Sequence, residues 1–259
     1  MIWKATVALH VGAVAATAVN PHLWPWSLGA VVANHGAITF AGLWPRSSLL
    51  GPNWTRLPPA AAARKAVAIT IDDGPDPATT PRVLDLLDAA GAKATFFCIG
   101  RKIESFRALT REIVDRGHAI ENHSYRHTNY FSLLGPRRMA AELARAQDVI
   151  AEVTGTTPRF FRAPAGLRNP FLNPLLQKYD LRLASWTRRG FDTVNGNADV
   201  VFRRVTRNLA SGDILLLHDG NAARTASGAP VIYEVLPRML RELATHGLQP
   251  IVMRDALAS

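Results

Sequence analysis

Ile69-Thr70-Ile71-Asp72-Asp73-Gly74-Pro75-Asp76-Pro77 is the stretch from which the fold of this chain is read. An apolar, β-branched run, Val67 to Ile71, ends abruptly in two adjacent acids followed by glycine and proline. Such a run reads as a buried strand that delivers its carboxylates to its own C-terminal edge. Successive strand residues point to opposite faces. A strand end that opens into a Gly-Pro turn releases that alternation, so both acids are expected to serve one cavity. Taken alone, the turn is an ordinary polar strand cap; what reverses that reading lies downstream.

From residue 65 onward, apolar runs alternate with segments of helical periodicity. Strands are expected at 67–71, 94–99, 118–122, 160–163, 181–186, 214–218 and 248–253, and helices over 79–91, 104–116, 134–153, 198–209 and 231–246. That alternation is the α/β class, a parallel sheet with helices outside, and about seven units predict a closed or nearly closed barrel. Function in such barrels gathers at the C-terminal ends of the strands. Asp72, Asp73, His123, His127, Arg162, Trp186, His218 and Asp219 all stand at or just past those ends. Any one of them has a structural reading, but convergence from separate strands on one face is a site.

In His123-Ser124-Tyr125-Arg126-His127 two imidazoles lie four residues apart, which on a helical turn puts both on one face. With Asp73 they make a His-His-carboxylate set that leaves coordination positions open. Zinc fits it, and nickel, cobalt or iron accept the same donors. Arg162-Ala163-Pro164-Ala165-Gly166 supplies an arginine able to hold a carboxylate by two parallel hydrogen bonds. Its proline and glycine fix the following backbone so that an N–H can face an oxyanion.

Thr70-Ile71-Asp72-Asp73-Gly74-Pro75, His123-Ser124-x-x-His127, Arg162-x-Pro164-x-Gly166 and Leu216-x-His218 resemble, in order and spacing, the motifs of the polysaccharide deacetylases with a NodB-type domain, carbohydrate esterase family 4. The resemblance runs from about Lys65 to Met253. It implies a distorted (β/α) barrel in which Asp73, His123 and His127 bind a divalent metal and Asp72 is the general base. It further implies that Arg162 orients Asp72 and that His218 is the general acid, paired with Asp192. Pro164, Ala165, Trp186 and Leu216 then line the pocket for the acyl methyl. Ala165 stands where the family often has tyrosine, which lowers the groove wall, Thr193 where it often has tryptophan, and Ile71 where phenylalanine is common.

The first sixty residues differ from the rest of the 259. Two apolar segments, 5–19 and 27–44, carry no formal charge and flank the turn-forming, tryptophan-bearing Asn20-Pro21-His22-Leu23-Trp24-Pro25-Trp26. A bilayer core needs about twenty apolar residues per helix, so the expected unit is a membrane-inserted helical hairpin over 1–50, followed by a Pro- and Ala-rich linker over 51–64 and the barrel over 65–259. A cleaved signal peptide and a helical pair packed on the barrel are the competing readings. Lysine and arginine flank the hairpin ends and are missing from its turn, which places the barrel on the cytoplasmic side if both segments span.

The net charge of +10 suits an anionic partner. The arginines are dispersed and no nucleic-acid motif accompanies them, so lipid is expected and nucleic acid is not. A single cysteine, Cys98, excludes a disulfide framework. The expected function is removal of an N-acetyl group from a polysaccharide, an oligosaccharide or a lipid-linked sugar by a zinc-type (Zn2+, or Co2+ or Ni2+) hydrolase attached to a membrane. Deformylation of a lipid-linked amino sugar by the same mechanism, and a silent carbohydrate-binding barrel, are the alternatives.

Overall fold

The computed structural model describes residues 2–258. In chain order its elements are α1 (Ile2–Val19), α2 (Trp24–Leu43), α3 (Pro59–Ala63), β1 (Ala66–Asp72), α4 (Thr80–Ala89), β2 (Thr95–Cys98), α5 (Gly100–Ser105), α6 (Arg107–Asp115), β3 (Ala119–Asn122), α7 (Pro136–Thr154), β4 (Phe160–Phe161), α8 (Leu172–Lys178), β5 (Arg182–Leu183), β6 (Arg188–Arg189), α9 (Ala198–Thr206), β7 (Ile214–His218), α10 (Ile232–Thr245) and β8 (Gln249–Ile251). The strands run β5-β4-β3-β2-β1-β7-β6, with β8 also paired to β1. Every pairing between them is parallel, and the curled sheet with its outer helices is the distorted (β/α) barrel expected.

β1 is buried along its whole length and sorts its side chains by parity. Val67, Ile69 and Ile71 face the helices, in one apolar cluster with Val83, Leu87 and Met239. Ala66 and Ala68 face the interior, with Phe97, Phe160, Trp186 and Leu216. Its neighbour β7 does the same, Leu215 and Leu217 outward and Leu216 inward. The parallel register sets Thr70 beside Leu216 and Asp72 beside His218. The period-2 alternation of two adjacent strands therefore delivers an acid and a histidine side by side to one end of the interior.

Segment 51–64 does not hang as a tether. Trp54 pairs with Ala184 and Arg56 with Asp213. The Trp54 N–H donates to Leu183 O (2.8 Å) and the Leu57 N–H to Gly212 O (2.8 Å), so the segment lies across the opening between β5 and β7. Leu57 and Ala61 are buried with the interior cluster. The proline and alanine run that reads as a linker instead packs between the end of β5 and the start of β7.

α1 and α2 form a helical hairpin. No helix among the described residues is long and apolar enough to cross a membrane, so the two expected spans are not borne out and the charge argument for their orientation has nothing to act on. Polar residues interrupt each apolar run: Lys4, Thr6 and His10 in α1, Ser27, Asn34 and His35 in α2. Most of them meet partners across the hairpin, His10 Nε2 lying 3.1 Å from His35 Nε2 and Thr17 Oγ1 donating to Ser27 Oγ at 2.9 Å. Asn34 thereby finds Thr6, and the outer faces, including Val11, Trp26 and Val32, stay exposed.

Ile69 is fully buried between β1's neighbours and the helices. Ile69→Ala is expected to cost about 2–5 kcal/mol, read as a lowered urea midpoint at unchanged slope; a shift of under about 1 kcal/mol would show that β1 is not the packed centre of the fold.

Candidate active site

Two acids from consecutive positions reach one cleft because the backbone turns left-handed between them. Asp72 follows the inward parity of β1. Asp73, which would otherwise point at the helices, has φ of 74°, and its carboxylate swings into the same space. Asp72, Asp73, His123, His127, Ala165, Trp186, Leu216 and His218 all line this cleft of about 260 Å³, at the C-terminal edge of the sheet. Pro164 and Asp192 do not line it: both are buried, Asp192 against His218.

Asp73 Oδ1 lies 3.3 Å from His123 Nε2 and 3.2 Å from His127 Nε2. The donor atoms of the three residues fall within 4.8 Å of one another. His123 Nδ1 lies 2.8 Å from the Arg162 carbonyl oxygen, which only accepts, so the ring proton sits on Nδ1 and the Nε2 lone pair faces Asp73. Asp73 Oδ1 is buried and has no hydrogen-bond donor. An orphaned, ionised oxygen facing two imidazole nitrogens is the donor set of a divalent cation, and the three residues fit one. Burial works to raise the Asp73 pKa, but His123, His127 and His218 outweigh it and hold the carboxyl far below its usual range. His127 goes the other way: burial, helped by the neighbouring His123, lowers it to about 4 against the pull of Asp73, so it is neutral at pH 7 and free to act as a ligand.

The two histidines do not share a helix face. Residues 123–127 are an irregular turn with left-handed Ser124 (φ 61°) and His127 (φ 53°). The turn is held by Asn122 Oδ1, which accepts from the Ser124 N–H (2.9 Å), and by Ser124 Oγ, which accepts from the His127 N–H (3.0 Å). A helical offset brings the rings together in sequence; side-chain-to-backbone bonds do so in space.

Arg162, just past β4, is 1% exposed. Its Nη1 donates to Asp72 Oδ1 (2.6 Å) and Thr70 Oγ1 (2.8 Å), its Nε to Ala184 O (3.2 Å) and its Nη2 to Ser185 O (2.7 Å). The expected pair of parallel bonds to a carboxylate is replaced by a single bond, the other donors being used on neighbouring backbone. The guanidinium lies 4.0 Å over the Phe97 ring. Asp72 is thus turned to an arginine and Asp73 to two histidines.

On the opposite wall, His218 Nδ1 donates to Asp192 Oδ1 (2.9 Å), and the His218 N–H donates to Asp192 Oδ2 (2.7 Å). Burial acts to lower the His218 pKa, but Asp192, through charge and hydrogen bond, and then Asp72 and Asp73, raise it to about 9. The ring is an imidazolium at neutral pH and loses its proton as pH rises through about 9. Ala165 is left-handed, with φ of 55°, and Gly166 follows at 75°. A Cβ on Gly166 would fall 2.6 Å from the Trp186 ring and 2.7 Å from Pro45, so glycine is what lets this turn close on the hairpin.

Asp219 does not join the cleft: its carboxylate accepts from Thr80 Oγ1 and the Gly220 N–H, behind the Asp73 backbone. Three contributors escape sequence reasoning. Asn221 Nδ2 donates to Asp73 Oδ2 (3.2 Å), Lys102 Nζ donates to Asp73 O (2.7 Å), and Arg189 forms part of the wall. Asn221 follows the Leu-His-Asp-Gly strand end, the one local signal that it sits at the rim; Lys102 and Arg189 have none.

Residues 60–184 match the family model for polysaccharide deacetylase. The chain is 33% identical over 195 residues to a peptidoglycan-N-acetylglucosamine deacetylase of Bacillus cereus, an alignment covering 74% of this chain and 88% of that one. It is 33% identical over 158 residues to a chitooligosaccharide deacetylase of Azorhizobium caulinodans, covering 61% of this chain and 75% of the relative. A solved family 4 carbohydrate esterase from Streptomyces lividans, in complex with acetate, shares the fold with a TM-score of 0.64 at 34% identity, over 71% of this chain and 91% of that one. One-third identity across most of the Bacillus relative, with the cleft built as described, makes this chain a member of the polysaccharide deacetylase family.

Proposed function

We propose that the chain removes the N-acetyl group of an N-acetylated amino sugar by metal-dependent hydrolysis, releasing acetate and a free amine. The observation that carries this is the division of two adjacent acids, Asp73 facing His123 and His127 and Asp72 facing Arg162, with a charged His218 across the cleft. Its relatives are named for peptidoglycan N-acetylglucosamine and for chitooligosaccharides, which supports N-acetylglucosamine oligomers as the substrate class.

A divalent cation held by Asp73, His123 and His127, zinc by preference with cobalt or nickel as substitutes, supplies polarisation of the amide carbonyl and acidification of a water when bound. Asp72, locked in place by Arg162, takes the proton of the attacking water. The Ala165 N–H stabilises the developing oxyanion, while Trp186 and Leu216 receive the acetyl methyl. The amine is a poor leaving group until it is protonated. His218, held protonated by Asp192, donates that proton, and the C–N bond breaks with the electron pair leaving on nitrogen. A complete set of metal donors, base and acid disfavours the silent-barrel alternative.

Lipid-linked amino sugars, acetylated or formylated, are a second reading with its own observation. The exposed apolar faces of the α1–α2 hairpin, Val11, Trp26, Val32 and Phe40 among them, offer a surface for membrane lipid. The end of that hairpin abuts the cleft at Pro45.

The purified chain, supplied with zinc or cobalt, is expected to release acetate from N-acetylglucosamine oligomers; no acetate from oligomers of any length would remove the reading. Asp73→Ala and His127→Ala are each expected to lose both metal and hydrolysis, and wild-type rates at ordinary metal concentration in either would strike that residue from the ligand set. The pH–rate profile should be bell-shaped with its basic limb near the His218 pKa of about 9. Asp192→Asn removes the charge that raises it and should move that limb to lower pH, whereas an unmoved limb would show that another group donates the proton.

A further inference from the structure

Beside the catalytic cleft, and sharing its Trp186 and Arg189 walls, lies a second cleft of about 480 Å³ with an unusual lining. Five arginines border it, Arg46, Arg188, Arg189, Arg204 and Arg207, and no acid does. Among the described residues only Arg188 of the five is ion-paired, to Asp213 at 3.2 Å. Aromatic rings hold two of the others in place. Arg189 lies 4.9 Å from the Trp186 ring and 4.5 Å from the Phe191 ring, with Arg204 on Phe191 at 5.6 Å. The buried Arg189 Nε has no acceptor. Trp44 and Arg46 close the rim from the end of the hairpin, and Phe40, exposed, packs edge-on against Trp44 at 5.3 Å.

Four guanidinium groups without carboxylate partners, two of them pinned by stacking, border one space and exceed what a single carboxylate satisfies. They match a multiply charged anion with several acceptor oxygens. We propose that this cleft binds a phosphate or diphosphate ester carried by the sugar whose acyl group lies in the catalytic cleft, so that the substrate is an N-acylated sugar phosphate. This rests on the deacetylase reading for its sugar half only. Arg189, which borders both clefts, sits where the sugar joins the phosphoryl group. The apolar ring pair Phe40 and Trp44 lies where an ester's hydrocarbon would leave. The phosphoryl group has two sources, a lipid-linked sugar and a water-soluble sugar phosphate.

Binding to the full-length, metal-loaded chain carrying Asp72→Asn, which stops turnover, separates the possibilities. N-acetylglucosamine 1-phosphate and a farnesyl diphosphate ester of N-acetylglucosamine are compared with the neutral methyl glycoside by calorimetry in detergent. The phosphate esters are expected to bind at least about tenfold more tightly, an advantage that falls with salt. Arg204→Gln with Arg207→Gln, both exposed, should abolish the advantage and leave chitooligosaccharide turnover by the chain with Asp72 intact unchanged. Equal affinity for the neutral sugar, or an advantage that survives the double substitution and so belongs to the metal, would overturn the cleft assignment. A further gain for the farnesyl ester assigns the lipid source, and equal affinity of the two esters the soluble one; in both the phosphoryl group is what is bound. Acetate release without phosphate preference sinks the cleft and spares the deacetylase. A phosphate preference without acetate release does the reverse.

Discussion

A guanidinium with no route to water organises this barrel. Arg162 is buried in the interior, and an unpaired charge there is among the costliest things a fold can hold. Its charge is met by Asp72 on β1, and its remaining donors by Thr70 on the same strand and by the carbonyls of Ala184 and Ser185 just past β5. The guanidinium therefore joins strands that lie far apart in the sheet order, across a barrel that the short β5 and β6 do not close. Removing one partner of such a buried pair costs about 3–5 kcal/mol, because the other is left uncompensated. The same bond that satisfies the arginine fixes the carboxylate proposed as the base, so stability and positioning are one interaction.

With Asp72 so occupied, the neighbouring acid is left for another task. The left-handed turn at Asp73 aims it at His123 and His127, and its buried oxygen has only their nitrogens to face. Asp72 and His218 are register partners on adjacent strands, while Asp192 is buried behind the histidine. Two carboxylates next to each other in sequence thus acquire opposite partners, one a cation of the protein and the other the donor set for a cation from solution. A third, Asp192, keeps a proton on the imidazole across the cleft.

Much of this was legible in the chain. The uninterrupted apolar run before Asp72 marked a buried strand, and the repetition of strand and helix marked the barrel, because period and composition record which faces are buried. The strand-end residues that line the cleft follow from that topology, while Asp219, also at a strand end, turns away to Thr80 and the Gly220 N–H. What escaped detection depends on contacts between distant segments. Residues 51–64 read as a linker by their prolines and alanines, yet Trp54 and Arg56 pair with β5 and the start of β7, which no local pattern encodes. β6, two arginines with no apolar alternation, was invisible as a strand. The helix expected over 104–116 breaks at Phe106, whose φ and ψ of −126° and 51° are not helical. By its apolar length the hairpin reads as two spans, but its histidines, threonines and asparagine are the more telling residues, since they pair with one another between the helices.

On the proposed mechanism, adjacent acids divide proton transfer from metal binding. Metal content and acetate release measured together on Asp72→Asn decide it most directly. On that division the variant keeps a stoichiometric divalent metal, as in the wild type, while hydrolysis falls by about 10²–10⁴-fold. Loss of metal along with activity would contradict it and assign Asp72 to the ligand set.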